Sequence, residues 1–221
     1  MARLTPAPAT SRLPAALIAL LYGLAGALTP FLLLQLWSTM ALAEQPLLWW
    51  AGRALGLLAY VALWLSMVFG TLVSSKGLGG RLSQKWVMDL HREWTLAAMI
   101  ATVLHVVVLV THAESGVTPW AAIIPFASER LTGEIAMGTA AGLVLVLIAA
   151  TSWARARIPY AAWRAIHALA FGAMILAIVH SITAGTDSAT LGAQLLYLGT
   201  ATLLSVVTAL RVVLAITNAR A

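Results

Sequence analysis

The sequence contains no cysteine. That absence excludes a disulfide framework, thiolate zinc sites, iron–sulfur ligation, covalent c-type haem attachment and a cysteine nucleophile. Any bound metal must rest on His, Met or carboxylate. Charge is nearly as scarce: 9% of the 221 residues are Asp, Glu, Lys or Arg, against about 25% in an ordinary soluble domain. With 62% apolar residues and a mean hydropathy of +0.94, the chain is no water-soluble globule and no disordered tail. The net charge of +6 does not make it a nucleic-acid binder either, because so few charges leave no phosphate-binding face. No glycine-rich nucleotide loop stands out. Gly77-Leu78-Gly79-Gly80 is a turn between apolar runs with no strand before it, so it is not a dinucleotide fingerprint.

What the chain does have is long charge-free runs. A helix crossing the hydrocarbon core needs about 20 mostly apolar residues. Using charged residues as boundaries, six such runs emerge, with approximate spans 13–37, 54–75, 88–111, 134–154, 163–184 and 190–212. They leave no room for a separate soluble domain, and predict a single all-α domain over 1–221. The first run follows Arg3 and Arg12 and precedes Ala41-Leu42-Ala43, which resembles a signal peptide. Its apolar stretch is longer than the 7–15 residues or so of a signal core, so it reads as a retained span, kinked at Pro30. The longest connector, about 111–132, holds Pro119 and Pro125 and reads as an interfacial loop. Low complexity is limited to Ala, Leu and Val richness, and no internal repeat is convincing.

The basic residues orient the bundle. With the N-terminus cytoplasmic, eleven Lys and Arg fall inside and two, Arg53 and Arg130, outside. Glu44, Glu114, Glu129, Glu134 and Asp187 fall on the opposite side. The positive-inside rule then places both termini in the cytoplasm of a multi-pass protein of the cell (inner) membrane, in contact with lipid. Tryptophans near the expected span ends, among them Trp37, Trp49, Trp50, Trp86, Trp153 and Trp163, suit interfacial anchors.

Polar residues inside a span are rare and mark function more often than not. Four of the five histidines fall in two pairs: His91 and His105 are 14 apart on the third span, and His167 and His180 are 13 apart on the fifth. At 1.5 Å rise per residue each pair covers roughly 20 Å of depth, and the two levels match. A lone intramembrane histidine is ordinarily a hydrogen-bonding group between helices. Four in depth-matched pairs suit bis-imidazole haem ligation, in which each iron takes one neutral imidazole from each of two facing helices. Zinc would need more ligands at one point, and no Asp or Glu lies at mid-depth to complete a site. One feature fits imperfectly. A 13-residue step is about 140° away from returning to the same helical face, so either the two groups sit on different sides of the fifth span or that helix is distorted near Gly172.

These histidines, together with Leu90-His91-Arg92, Ala162-Trp163-Arg164-Ala165-Ile166-His167, and His180 followed by Ala184-Gly185-Thr186-Asp187, resemble the ferric reductase-like transmembrane domain family. That family includes the haem-bearing halves of NADPH oxidases and of fungal and bacterial ferric reductases. The resemblance covers about residues 50–187; the first and last spans match only as hydrophobic helices. It implies six helices holding two b-type haems, with His91, His167, His105 and His180 as iron ligands, and electron passage from a cytosolic flavin to an outer acceptor. The sequence shows no FAD or NADPH domain. The donor is therefore expected to be a separate cytosolic flavoprotein or a membrane quinol, with flavin on that partner, and the chain is a candidate subunit of a complex. Small haem subunits of periplasmic methionine sulfoxide reductase systems are similar in size, and differ in histidine pattern and flavin binding.

Other residues carry two readings each. Arg53 is a snorkelling anchor or a partner for an outer haem propionate. Arg92 and Arg164 are positive-inside residues or partners of inner propionates. Trp163, with Trp94 and Phe171, lines a haem pocket or simply packs. His112 is an interfacial polar residue, or a proton donor or alternative ligand near the outer haem. No residue is expected to act as acid, base or nucleophile in outer-sphere electron transfer. Two readings of other classes stand beside it: a haem-free proton or ion carrier relaying through His105 and His180, and a purely structural subunit.

Overall fold

The computed structural model describes residues 47–75 and 82–220. The expected span at 13–37 with Pro30, and the Gly77–Gly80 turn, lie outside the described residues. Six α-helices make up the rest: α1 (Leu47–Ser74), α2 (Gln84–Thr111), α3 (Thr132–Trp153), α4 (Tyr160–Ala168), α5 (Ala170–Ala184) and α6 (Leu191–Arg220). No strand occurs among the described residues. Taking α4 and α5 as one broken rod, five helices are long and apolar enough to cross a membrane.

Local chemistry sets the boundaries. Ser83 caps α2 by accepting the Trp86 backbone N–H on its Oγ, as a short hydroxyl side chain does at a helix start. Arg155–Arg157 form a single 3₁₀ turn after α3, and Pro159 occupies the N-cap of α4, where its missing N–H leaves nothing unsatisfied. The connector 112–131 is irregular apart from a 3₁₀ turn at Ala113–Ser115. That turn closes on Gly116 at φ 72°, a left-handed conformation that glycine adopts without cost. The loop is pinned to α3 by the buried Thr139, whose hydroxyl donates to the Ala121 carbonyl at 2.7 Å.

The rod made of α4 and α5 is where structure and sequence differ most. Its distortion is at Leu169, not Gly172. The Leu169 N–H bonds to the Ile166 carbonyl three residues back, and the four-residue ladder resumes at Ala173 N–H to Leu169 O. One tightened turn adds about 60° of rotation, which offsets part of the face mismatch of the 13-residue histidine step and leaves His167 rotated away from the face of His180. Gly172 itself has nothing close to it.

Two helical hairpins organise the bundle. The most extensive packing is α1 on α2, then α3 on α5; α1 also packs on α5 and α6. The hairpins therefore meet through α1 and α5. Their shared core is Tyr60, Ala62, Leu63 and Met67 of α1, Ala98 of α2, Met174 of α5 and Leu204 of α6. Small residues at Ala62 and Ala98 let the helices approach closely, which is how packing proceeds where lipid offers no hydrophobic drive. Polar groups tie α6 to α1: the Tyr60 hydroxyl lies 2.5 Å from Thr200 Oγ1, and Trp64 Nε1 donates to the Thr200 carbonyl at 2.9 Å. The rest of α2 and α6 shows large apolar side chains outward, Leu96 and Leu198 among them, as lipid-facing helices do.

The shared core gives a stability prediction. Ala62→Leu should overpack the fully buried position and cost about 1–3 kcal/mol. Leu58→Ala, on the exposed side of the same helix, should change stability by less than about 0.5 kcal/mol. Thermal unfolding midpoints of both variants in one detergent check the contrast.

Candidate functional site

The four paired histidines sit on α2 (His91, His105), α4 (His167) and α5 (His180). Three of them are held by one repeated device. His105 Nδ1 donates to the Gly52 carbonyl at 2.7 Å, His91 Nδ1 to the Ser66 carbonyl at 2.9 Å and His180 Nδ1 to the Glu134 carbonyl at 2.7 Å. In each case the residue four positions further along the accepting helix is a glycine with the imidazole lying over it. A Cβ at Gly56 would come 2.8 Å from the His105 ring, one at Gly70 3.1 Å from His91, and one at Gly138 2.7 Å from His180. The glycine opens a flat notch, and the carbonyl one turn back latches the ring.

The latch decides the tautomer. A carbonyl only accepts, so Nδ1 must carry the proton, and Nε2 keeps its lone pair. At His91 a local network adds to this. The Thr95 hydroxyl donates to the His91 carbonyl at 2.6 Å, so the Ser66 hydroxyl, 2.6 Å from Thr95 Oγ1, donates to Thr95. Ser66 Oγ is then an acceptor for the same His91 Nδ1–H at 3.2 Å. This is the arrangement of metal-ligating histidines, whose second nitrogen is held by a carbonyl or carboxylate.

Across the hairpins, His91 and His167 meet with ring centroids 6.1 Å apart and planes at 77°. A separation of that size leaves room for one metal ion between the two rings. The helices bearing the histidines, α2 on one side and α4–α5 on the other, are not among the closely packed pairs. At the other level His105 and His180 lie within electrostatic range of one another. That level is bracketed by a clamp: Arg53, next to Gly52, makes a two-pronged ion pair with Asp187, its Nε donating to Oδ2 at 2.9 Å and its Nη2 to Oδ1.

The fourth imidazole is held differently. His167 Nδ1 is buried without a hydrogen-bond partner. Its ring stacks on Trp163, with centroids 4.9 Å apart and planes at 25°. The Trp163 indole N–H reaches Ser152 Oγ at 3.3 Å, and the Arg155 guanidinium lies 4.7 Å from the indole ring. Trp163 and His167 are one helical turn apart, so their contact follows from spacing alone.

The remaining sequence candidates divide. Arg53 pairs with Asp187 and covers the Trp50 ring at 4.6 Å. Arg164 leans on Tyr160, with Nη1 3.4 Å from the hydroxyl. Arg92 is exposed on α2 beside His91. Trp94 and Phe171 pack against the shared core. His112 caps α2 and is buried against Trp49, with ring centroids 6.0 Å apart, and is not drawn into either histidine pair. Among the described residues no group of three or more His, Asp or Glu converges on a point.

Sequence reasoning missed the notches. Their signal was present: the step from Gly56 to Gly70 equals the step from His91 to His105, which is what two antiparallel helices need for ring-on-glycine contact at two depths. It also missed the contacts of Arg155, which carried no signal beyond its charge, and the pairing of Asp187 with Arg53.

A family model described as Domain of unknown function (DUF8596) matches residues 47–187, and the chain belongs to that family. The matched stretch runs from the start of α1 to Asp187 and contains all four paired histidines. No curated protein and no solved structure matches the chain.

The latches yield a prediction. Gly56→Ala, Gly70→Ala and Gly138→Ala should each displace an imidazole and leave a buried donor or acceptor unmet, costing about 1–3 kcal/mol. Gly142→Ala, with nothing within 4 Å of its Cβ position, should be neutral or slightly stabilising. In protein carrying ¹⁵N-labelled histidine, His91, His105 and His180 should show the Nδ1–H tautomer, and each alanine variant should perturb one of the three signals.

Proposed function

We propose that this chain is an integral membrane b-type cytochrome that holds two haems, one per histidine pair, and carries electrons between the two faces of the membrane. The observation that carries the reading is the state of the imidazoles. Latched Nδ1–H groups leave Nε2 free as a ligand, and a 6.1 Å centroid separation at His91 and His167 suits one metal between them. A centre with only two protein ligands suits a macrocycle that supplies four equatorial donors. The notches support the same fit, because a Cβ at Gly56, Gly70 or Gly138 would push the ring out of place.

When bound, haem iron supplies a one-electron couple, and the protein sets its potential through ligation, burial and nearby charge. The residues' own work is to hold. His91 and His167 would hold one iron, and His105 and His180 the other, at levels about 20 Å apart. The backbone carbonyls of Ser66, Gly52 and Glu134 fix three ring orientations and raise the basicity of those ligands. The two-to-eleven split of basic residues puts the His91–His167 level on the cytoplasmic side. The donor would be a cytosolic flavoprotein or a quinol, and the acceptor would lie outside, in the manner of ferric reductases. Arg92 and Arg164, exposed near the cytoplasmic tier, are available to propionates or to the donor. Arg53 is already matched by Asp187, so an outer propionate would have to compete with that carboxylate.

A haem-free proton relay fits less well. A relay imidazole passes a proton through one nitrogen and takes another at the other. Three of these rings commit Nδ1–H to a backbone carbonyl, which does not pass a proton onward.

Protein purified in detergent from haem-replete cells should be red, show b-type bands on reduction, and carry about two haems per chain. His91→Ala and His167→Ala should lose the same haem, and His105→Ala and His180→Ala the other, each leaving about half the pyridine haemochrome signal. A colourless preparation refutes the reading, and loss of one common haem in the His91 and His105 variants refutes the pairing.

A further inference from the structure

Three imidazoles are latched to a carbonyl over a glycine, and one is not. The missing latch can be located. On α1 the two notches stand at Gly56 and Gly70. The same step on α3 runs from Gly138 to Ser152, and from the Glu134 carbonyl to that of Ile148. Ser152 therefore stands where the fourth glycine belongs. Its Oγ takes the Trp163 indole N–H at 3.3 Å, and the Thr151 hydroxyl, bonded to the Leu147 carbonyl at 2.8 Å, also lies 3.1 Å from the Ile148 carbonyl. The indole, not a backbone carbonyl, meets His167, and His167 Nδ1 is left buried and unpartnered. The helix bearing it is nine residues long and ends at the Leu169 break, next to His167 in the chain.

Resting on the haem reading above, we propose that His167 is an exchangeable ligand, so that the His91–His167 tier binds a small neutral π-acceptor ligand of ferrous iron, of the carbon monoxide class, and the His105–His180 tier does not. A latched imidazole that leaves its metal keeps its Nδ1–H bond and its aim, and rebinds at once. His167 has no such anchor. While it ligates, its Nδ1–H is an unmet buried donor, and swinging away releases that group to find a partner. The swing is a rotation of the His167 side chain, since Leu169 keeps right-handed helical dihedrals and α4 runs directly into α5. His167 Nε2 would yield its place to the incoming neutral ligand, with no change in proton or electron count. Trp163 acts here as a positioning residue: its stack is what holds His167 on the metal.

The test uses dithionite-reduced, haem-loaded protein titrated with carbon monoxide and followed by its Soret difference spectrum. The expected result is about one carbon monoxide per two haems. Trp163→Ala should speed uptake by about threefold to tenfold, the loss of one aromatic stack. Trp163→Phe, which keeps the stack and drops the bond to Ser152, should stay near the parent rate. Gly142→Ala, whose Cβ meets nothing within 4 Å, should leave the uptake rate unchanged. Two haems per chain with no spectral change at saturating gas overturn the exchange proposal and leave the cytochrome reading standing. So does uptake that responds to Gly142→Ala and not to Trp163→Ala. Absence of haem overturns both. Should Trp163→Ala fail to fold, the stoichiometry of the parent protein and the rate in Trp163→Phe decide.

Discussion

The bond from an imidazole Nδ1–H to a backbone carbonyl, made across a glycine, is the constraint on which the rest of this bundle depends. Carbonyls inside a helix already accept one hydrogen bond along the ladder, and their second lone pair is normally hidden by side chains. Removing the side chain one turn further along exposes it. An aromatic heterocycle can then lie flat on the helix and use that lone pair, which satisfies its own polar atom in a place where water does not. The same contact sets the distance between the two helices, the depth of each histidine and its tautomer. One small residue thus couples packing to chemistry at Gly56, Gly70 and Gly138.

This constraint explains the hairpin plan. When the notches on one helix and the histidines on its antiparallel partner repeat at the same step, the pair meets at two levels without strain, as α1 and α2 do. The second hairpin, α3 with α4 and α5, follows the same plan at its Glu134–Gly138 level and abandons it at the other. There the histidine step is shorter by one, the rod breaks at Leu169 and Ser152 replaces the glycine. These three departures belong together. A shortened step rotates His167 away from α3, the break restores its height, and the indole of Trp163 fills the gap between ring and helix. The two hairpins are related in plan, with one of four corners rebuilt around an aromatic stack.

Much of this was legible in the sequence and some was not. Charge-free runs located the apolar helices because lipid tolerates few alternatives to a continuous helix, although α1 starts at Leu47, well before Arg53. A charge near a span end does not stop a helix when its partner, here Asp187, neutralises it. The histidine levels were readable from spacing, since rise per residue is nearly constant. The ring-to-carbonyl latches were not, because a carbonyl has no letter in the sequence and every glycine looks alike until its neighbour is known. The internal likeness of the hairpins was invisible for a related reason: it resides in glycine and histidine positions, among apolar residues that interchange freely. The distortion of the rod made of α4 and α5 was implied by the odd histidine step, but its place at Leu169 was set by backbone hydrogen bonding that no single residue type announces.

The two ends of the bundle also differ in charge. At the Asp187 end Arg53 is matched by a carboxylate and its guanidinium rests on Trp50. At the other end Arg155 faces the Trp163 indole and the Tyr160 ring and Arg164 faces Tyr160, π-faces that attract a cation without cancelling its charge. The net positive field therefore falls at the His91–His167 level. There it adds to the missing latch on His167, because a less basic imidazole and a nearby cation both favour the reduced form of a bound metal. In the cytochrome reading proposed above, the His91–His167 tier would hold an electron more firmly than the His105–His180 tier, and flow from the first to the second would need a donor or an acceptor strong enough to offset that difference.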